Sequence, residues 1–201
     1  MVRQLPKGER TRTEILELAW RRALKLGLDE GLSIGPLATD AGMSKSGVFA
    51  HFGSKEGLQI ALLDHAAASF VERVVRPALK APRGEPRLRA LYSGWLAWAA
   101  TNLQSGGCLF SAAAWEFDDR PGPVRDKIAA ILRDWSQAIE KAIRLAVDEG
   151  HLRRDIDPVE VAQHVHSLQI GMHLYARLFH ERQAGLRAER AFDHLLETLK
   201  P

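Results

Sequence analysis

The sequence predicts an all-α protein, and two observations support this fold class. Apolar residues recur at helical spacing along the chain, and no stretch shows the alternation of β-branched residues that is typical of strands. The periodic segments are separated by glycines, prolines and N-capping residues, which are the usual boundaries of helices. With 201 residues and 46% apolar composition, the chain is long enough to bury a core.

Composition excludes several classes of protein. No apolar run reaches the roughly 18 residues of a membrane span, and the first residues lack the apolar segment of a signal peptide. We therefore expect a cytoplasmic protein with no membrane partner. The single cysteine, Cys108, excludes an intrachain disulfide and a multi-cysteine zinc site.

Basic residues are concentrated at the N-terminus. The net charge of the chain is +3, which is compatible with a nucleic-acid partner without requiring one. Against the single acid Glu9, residues 1–13 hold four basic side chains: Arg3, Lys7, Arg10 and Arg12. We expect this segment to form a basic, flexible arm.

The first quarter of the chain predicts three helices and the start of a fourth. The first runs over residues 11–26, with Thr11 or Thr13 as its cap and Gly27 as its stop. Two short helices follow over 34–41 and 45–51. A longer helix begins at the N-cap Ser54 and runs to about residue 76, ahead of Pro77.

The junction between the two short helices predicts a helix-turn-helix. Gly42 permits the positive φ of a sharp corner, and Ser44 caps the second helix. Val48 and Phe52 point back to the core. This arrangement leaves an outward side where a recognition helix faces the major groove of DNA, formed by Lys45, Ser46, Gly47 and Phe49.

The same segment resembles the DNA-binding signature of the TetR family of repressors. The matching stretches are Ala41-Gly42-Met43-Ser44-Lys45, His51-Phe52 and Ser54-Lys55-Glu56-Gly57-Leu58. The resemblance implies a helix-turn-helix domain over residues 1–53 and a helical ligand-sensing and dimerisation domain over 54–201, connected by helix 54–76. Two positions depart from the family pattern, because Phe49 stands where a tyrosine is common and Gly47 where a threonine or alanine is common.

The resemblance also implies roles for matching positions. Lys45 and Ser46 would lie near bases and phosphates, Phe49 and His51 against the DNA backbone, and Lys55 on a phosphate at a helix start. The full set of expected DNA-binding residues is Arg10, Arg12, Ser33, Ser44, Lys45, Ser46, Gly47, Phe49, His51 and Lys55.

The rest of the chain predicts further helices from residue 87 onward, over 109–117, over 123–149 and from Pro158, with Asp157 as the last one's cap. Apolar residues of the helix from Pro158 alternate in steps of four and three, which is typical of a helix that packs lengthwise on another. The pattern continues in the final helix. It predicts either a seam facing the chain's own core or a homodimer interface formed by Val161, Val165, Leu168, Met172, Tyr175, Phe179, Phe192 and Leu195.

Aromatic residues are concentrated in the central helices. The TetR resemblance implies a ligand cavity there, and an aromatic lining favours an apolar or aromatic ligand. The candidate lining residues, which are alternatively ordinary core residues, are Trp95, Trp98, Phe110, Trp115 and Trp135.

Other reactive side chains give weaker predictions. Cys108 lies near a helix start, where a thiolate is favoured. This position predicts either a redox sensor or a small buried apolar residue. His166, His173 and His180 recur every seven residues, a step of about 10.5 Å along a helix, which is too long for one metal ion to bridge. No metal, cofactor or enzymatic motif is predicted.

Together these features predict a ligand-responsive repressor. We expect it to bind a pseudo-palindromic operator in double-stranded DNA as a homodimer and to be released by a small effector. Two alternatives use the same fold: an activator with the same DNA contacts, and a helical ligand-binding adaptor that has lost specific DNA binding.

Overall fold

The computed structural model describes residues 6–101, 103 and 107–201, which form helices joined by turns, with no strand among them. The helices are α1 (Lys7–Leu26), α2 (Leu28–Gly31), α3 (Ile34–Asp40), α4 (Lys45–Phe52), α5 (Lys55–Phe70), α6 (Arg76–Ala78), α7 (Glu85–Thr101), α8 (Leu109–Phe117), α9 (Pro123–Asp148), α10 (Pro158–Arg177) and α11 (Ala184–Thr198). No helix in the described part of the chain is long and apolar enough to cross a membrane.

Helix α1 begins four residues earlier than the sequence predicts. Pro6 precedes it, and the hydroxyls of Thr11 and Thr13 donate to the carbonyl oxygens one turn back, at 3.1 and 2.9 Å, instead of capping. Arg10 and Arg12 therefore lie on a helix, so the prediction of a flexible arm is wrong for them. Arg3 lies outside the described residues.

Helices α1, α3 and α4 form the predicted helix-turn-helix unit. Gly42 adopts φ +63° at the corner between α3 and α4, where a side chain would be strained. Leu37 of α3 and Val48 of α4 are buried on the inner sides of the two short helices. Arg22 of α1 holds the unit together by donating to the Gly31 carbonyl at 2.9 Å and to Asp40 at 2.6 Å.

The helix that links the two halves of the chain contains a π-helical turn. Helix α5 passes into this turn at Val71–Val75 and continues as α6, so Pro77 lies inside the helix and not beyond its end as predicted. Proline has no N–H and crowds the carbonyl four residues earlier. The π turn accommodates it, because the Arg76 N–H bonds to the Val71 carbonyl one residue further back than in an α-helix.

The C-terminal helices pack around a shared core. Tyr92 of α7 stacks on Phe192 of α11 with ring centroids 3.9 Å apart, and its hydroxyl donates to the Ala188 carbonyl. Four residues of the predicted dimer seam are buried in this core of a single chain: Val161, Val165, Met172 and Phe192. For these four residues, burial within the single chain agrees with the alternative in which the seam faces its own core.

Candidate nucleic-acid interface and ligand cavity

The outward face of α4 is exposed, as the sequence predicts. Lys45, Ser46 and Phe49 are exposed while Val48 is buried beneath them. The Phe49 ring is 52% exposed, so packing does not explain this aromatic residue. The Ser44 hydroxyl accepts the Gly47 N–H at 3.0 Å, which satisfies an otherwise unpaired donor in the first turn.

Neighbouring residues frame this face. The guanidinium of Arg12 lies 5.1 Å from the centroid of the Phe52 ring, so α1 braces the end of α4. His51 is half-buried beside the same ring, with the two centroids 6.1 Å apart. Ser33 stands at the N-cap position of α3, but its hydroxyl makes no capping hydrogen bond. Arg10 is exposed on α1.

Lys55, expected on a phosphate, forms an ion pair within the chain. Its ammonium contacts Asp29 of α2, and Arg120 approaches the same carboxylate at 3.3 Å. The hydrogen bond from Lys55 holds the pKa of Asp29 below its usual value, although partial desolvation acts in the opposite direction. A phosphate that binds Lys55 has to replace or share this carboxylate.

Sequence reasoning missed α2 and its partner Glu116. The carboxylate of Glu116, in the last turn of α8, accepts the N–H groups of Leu28 at 2.6 Å and Asp29 at 2.7 Å. Four residues are too few to show helical periodicity, and the partners are 87 and 88 residues apart in sequence. The acidic side chain of Glu116, close to Asp118 and Asp119 in the sequence, was the one feature that could have indicated a polar contact here. Its partners are backbone N–H groups, which no sequence pattern marks.

A cavity of about 210 Å³ lies among α5, the π turn and α7–α10. Its aromatic lining comprises Phe70, Trp95, Phe110 and Trp135, so three of the five predicted lining residues face it. The polar groups around it are few: Cys108, Ser111, Asp134 and His166. Burial lowers the pKa of His166, which favours its neutral form.

The other two predicted lining residues lie elsewhere. Trp98 packs between Trp20 of α1 and Phe70, with centroid distances of 5.6 and 5.3 Å, and does not line the cavity. Trp115 is 66% exposed and borders a groove that shares Ser111 and His166 with the cavity wall. A series of aromatic contacts therefore connects Phe70 in the cavity wall, through Trp98, to Trp20 of α1.

Cys108 lies in the cavity wall and is fully buried. Burial raises the pKa of the thiol, so the thiolate expected from a position at a helix start is disfavoured. The structure thus favours the small buried residue over the redox sensor.

No group of three or more metal-ligating side chains occurs among the described residues.

We expect the Cys108 thiol to be alkylated by iodoacetamide at pH 8 at least about tenfold more slowly than an exposed cysteine, because the thiolate is the reactive form. A Ser46→Cys variant supplies the exposed control within the same chain. Mass spectrometry after timed quenching measures both rates. Equal rates at the two positions would restore the redox-sensor hypothesis.

The surface of α10 and the turn after it is apolar and exposed. Helix α10 ends at Arg177, so Phe179 belongs to the turn and not to the predicted seam helix. The exposed residues are Leu174, Tyr175, Leu178, Phe179 and, on α11, Leu186. Leu168 and Leu195 are half-buried and pack against the core.

Comparison with known proteins gives the family. Residues 84–192 match the family model described as tetracyclin repressor-like, C-terminal domain, which is more than half of the chain. The chain belongs to the TetR family. This confirms the resemblance carried by the motif at residues 41–58, and members of this family are transcriptional regulators.

Solved TetR-family structures share the whole fold. A regulator from Chloroflexus aurantiacus superimposes with a TM-score of 0.83 at 24% identity, over 96% of both chains. One from Agrobacterium tumefaciens gives 0.84 at 18% identity, over 97% of this chain and 100% of that one. A regulator from Saccharomonospora viridis, solved in complex with choline, gives 0.77 at 22% identity, over 94% and 96%. No curated protein sequence matches the chain.

Proposed function

We propose that this TetR-family regulator is a repressor that binds a pseudo-palindromic operator as a homodimer and is released by a small apolar or aromatic effector. The observation that carries the proposal is the exposed face of α4, where Lys45, Ser46 and Phe49 stand out from a helix whose other side is buried. A short exposed helix of this kind, supported by a second helix at a sharp corner, fits the major groove.

The exposed apolar face of α10 supports the homodimer. Tyr175 and Phe179 are about half exposed, with ring centroids 5.2 Å apart, and Leu178 is more exposed still. Clustered aromatic and leucine residues on a surface are typical of a protein contact. A second copy placed on this face by a two-fold axis gives two recognition helices for two half-sites.

The cavity supports the effector. Its aromatic walls favour a ligand that is apolar or aromatic, and its few polar groups supply orientation. The choline complex of the Saccharomonospora viridis relative supports a small molecule as the effector. Release of the operator requires that the effector bind the DNA-incompetent arrangement more tightly than the competent one.

The deciding experiment is selection of bound duplexes from a random DNA pool at about 100 mM salt, where phosphate contacts alone bind weakly. We expect an enriched inverted repeat bound by a dimer. Enrichment of no sequence, with only weak and salt-sensitive binding, would favour the adaptor that has lost specific DNA binding. Transcription from a promoter that carries the selected repeat separates a repressor from an activator.

Replacing Lys45 by alanine tests the orientation of α4 on DNA. We expect Lys45→Ala to weaken operator binding, to lower the salt slope of log K by about one and to alter base preference at one position in each half-site. Fluorescence anisotropy over a series of salt concentrations measures the slope. Lys141→Ala, which removes an exposed lysine on α9, is the matched control and leaves the slope unchanged. An unchanged slope in Lys45→Ala would remove α4 from the interface.

A further inference from the structure

We propose that Glu116 is a positioning residue that transmits occupancy of the aromatic cavity to the DNA-binding helices through its hydrogen bonds to Leu28 and Asp29. The inference rests on the proposed function, because it assumes that a ligand in the cavity alters operator binding. Glu116 is the side chain that joins the two sites.

The contact itself is strong and specific. Both oxygens of the Glu116 carboxylate are used, at 2.6 Å to the Leu28 N–H and 2.7 Å to the Asp29 N–H. Hydrogen bonds to an ionised acceptor are about twice as strong as those between neutral groups. Because the two donors are backbone groups directly after α1, the carboxylate holds the main chain and not a rotatable side chain.

Helix α8 links this contact to the cavity. Phe110 and Ser111, in its first turn, line the cavity, and Glu116 lies in its last turn. A helix of 9 residues transmits a tilt or a shift as a nearly rigid rod, since its backbone bonds are internal. A ligand that displaces the Phe110 ring therefore moves the Glu116 carboxylate and the chain that it holds.

On the far side of the contact, α2 leads to the DNA-binding surface. Asp29 pairs with Lys55, the first residue of α5, which directly follows the recognition helix. The Gln59 amide of α5 donates to the Leu28 carbonyl and to Asp29, both at 3.4 Å. Movement of Leu28 and Asp29 thus reaches α1, whose Arg12 contacts Phe52 of α4, and the start of α5, which follows α4.

A cavity-filling substitution can replace the unidentified effector in the test. Ala138 of α9 lines the cavity, so Ala138→Phe places a ring where a ligand would bind. We expect Ala138→Phe to weaken binding to the selected operator by about fivefold or more, within the usual range of coupling between two sites. Ala67→Leu, on another wall, serves if Ala138→Phe does not fold.

A double-mutant cycle then isolates Glu116. Glu116→Gln keeps the shape of the side chain but presents an amide donor to one backbone N–H, so one hydrogen bond is lost. We expect the effect of Ala138→Phe on operator Kd to fall below about twofold in the Glu116→Gln background. Glu30→Gln, which removes an exposed acid of α2, is the control and preserves the full effect.

Hydrogen exchange tests the contact without DNA. The amides of Leu28 and Asp29 are expected to exchange at least about tenfold faster in Glu116→Gln, but not in Glu30→Gln, because their acceptor is weakened. Unchanged protection would overturn the proposal.

The double-mutant cycle distinguishes failure of the role of Glu116 from failure of the proposed function. An undiminished effect of Ala138→Phe in the Glu116→Gln background overturns the role of Glu116 and leaves the proposed function standing. If neither cavity-filling variant changes operator binding in the otherwise native chain, the cavity does not control DNA binding, and the proposed function and this inference both fail.

Discussion

Tyr175→Glu is expected to convert the proposed homodimer to monomers and to weaken operator binding by about 10²–10⁴-fold, the gain that linking two half-site contacts provides. Tyr175 is half exposed in the apolar face of α10 and contacts Phe179 edge to face. A dimer that buries this face places the new carboxylate of each protomer in an apolar contact. Burying two like charges in an apolar contact is costly, because neither has a partner.

Sedimentation equilibrium and operator titration measure the two consequences of Tyr175→Glu separately. Tyr175→Phe keeps the ring and should remain dimeric with native operator affinity. Leu79→Glu, which adds the same charge at another exposed apolar residue after α6, controls for the charge itself. If Tyr175→Glu remains a dimer with unchanged affinity, the homodimer uses another face.

Local signals in the sequence were enough to predict the helix-turn-helix. The cap at Ser44 and the corner at Gly42 depend only on residues within a few positions, and both lie where the sequence predicts them. The cap of the next helix is also local, because the Ser54 hydroxyl accepts the Gly57 N–H at 2.8 Å. Short-range hydrogen bonds and backbone preferences of this kind can be predicted from the sequence, because no contact with a distant part of the chain opposes them.

The partners against which each helix packs could not be predicted from local signals in this way. The apolar spacing of α10 shows that one side of the helix is buried, but the same spacing serves a core within the chain and a contact between chains. Val161 and Val165 face the core, while Tyr175, on the same helix, is exposed. The aromatic residues were likewise recognised as central, yet only the packing places Trp135 at the cavity and Trp115 at the surface.

Phe70→Ala is expected to lower the free energy of unfolding by about 3–5 kcal/mol, as for other buried aromatic residues. The Phe70 ring lies edge to face with Trp135, Trp98 and Phe110, at centroid distances of 5.0, 5.3 and 6.0 Å. Each such pair contributes about 0.5–1.5 kcal/mol beyond the burial of area. Alanine removes all three contacts and enlarges the cavity that the ring borders.

Urea denaturation followed by circular dichroism measures this loss at one fixed protein concentration, since the stability of the proposed dimer would depend on concentration. Phe70→Leu retains most of the apolar volume and should cost less than Phe70→Ala. Phe49→Ala, at an exposed ring, should stay within about 0.5 kcal/mol of the native protein. A loss below about 1 kcal/mol for Phe70→Ala would show that the cavity collapses around the smaller side chain. The aromatic wall would then be deformable, and rigid transmission of ligand binding from the cavity through α8 would lose its physical basis.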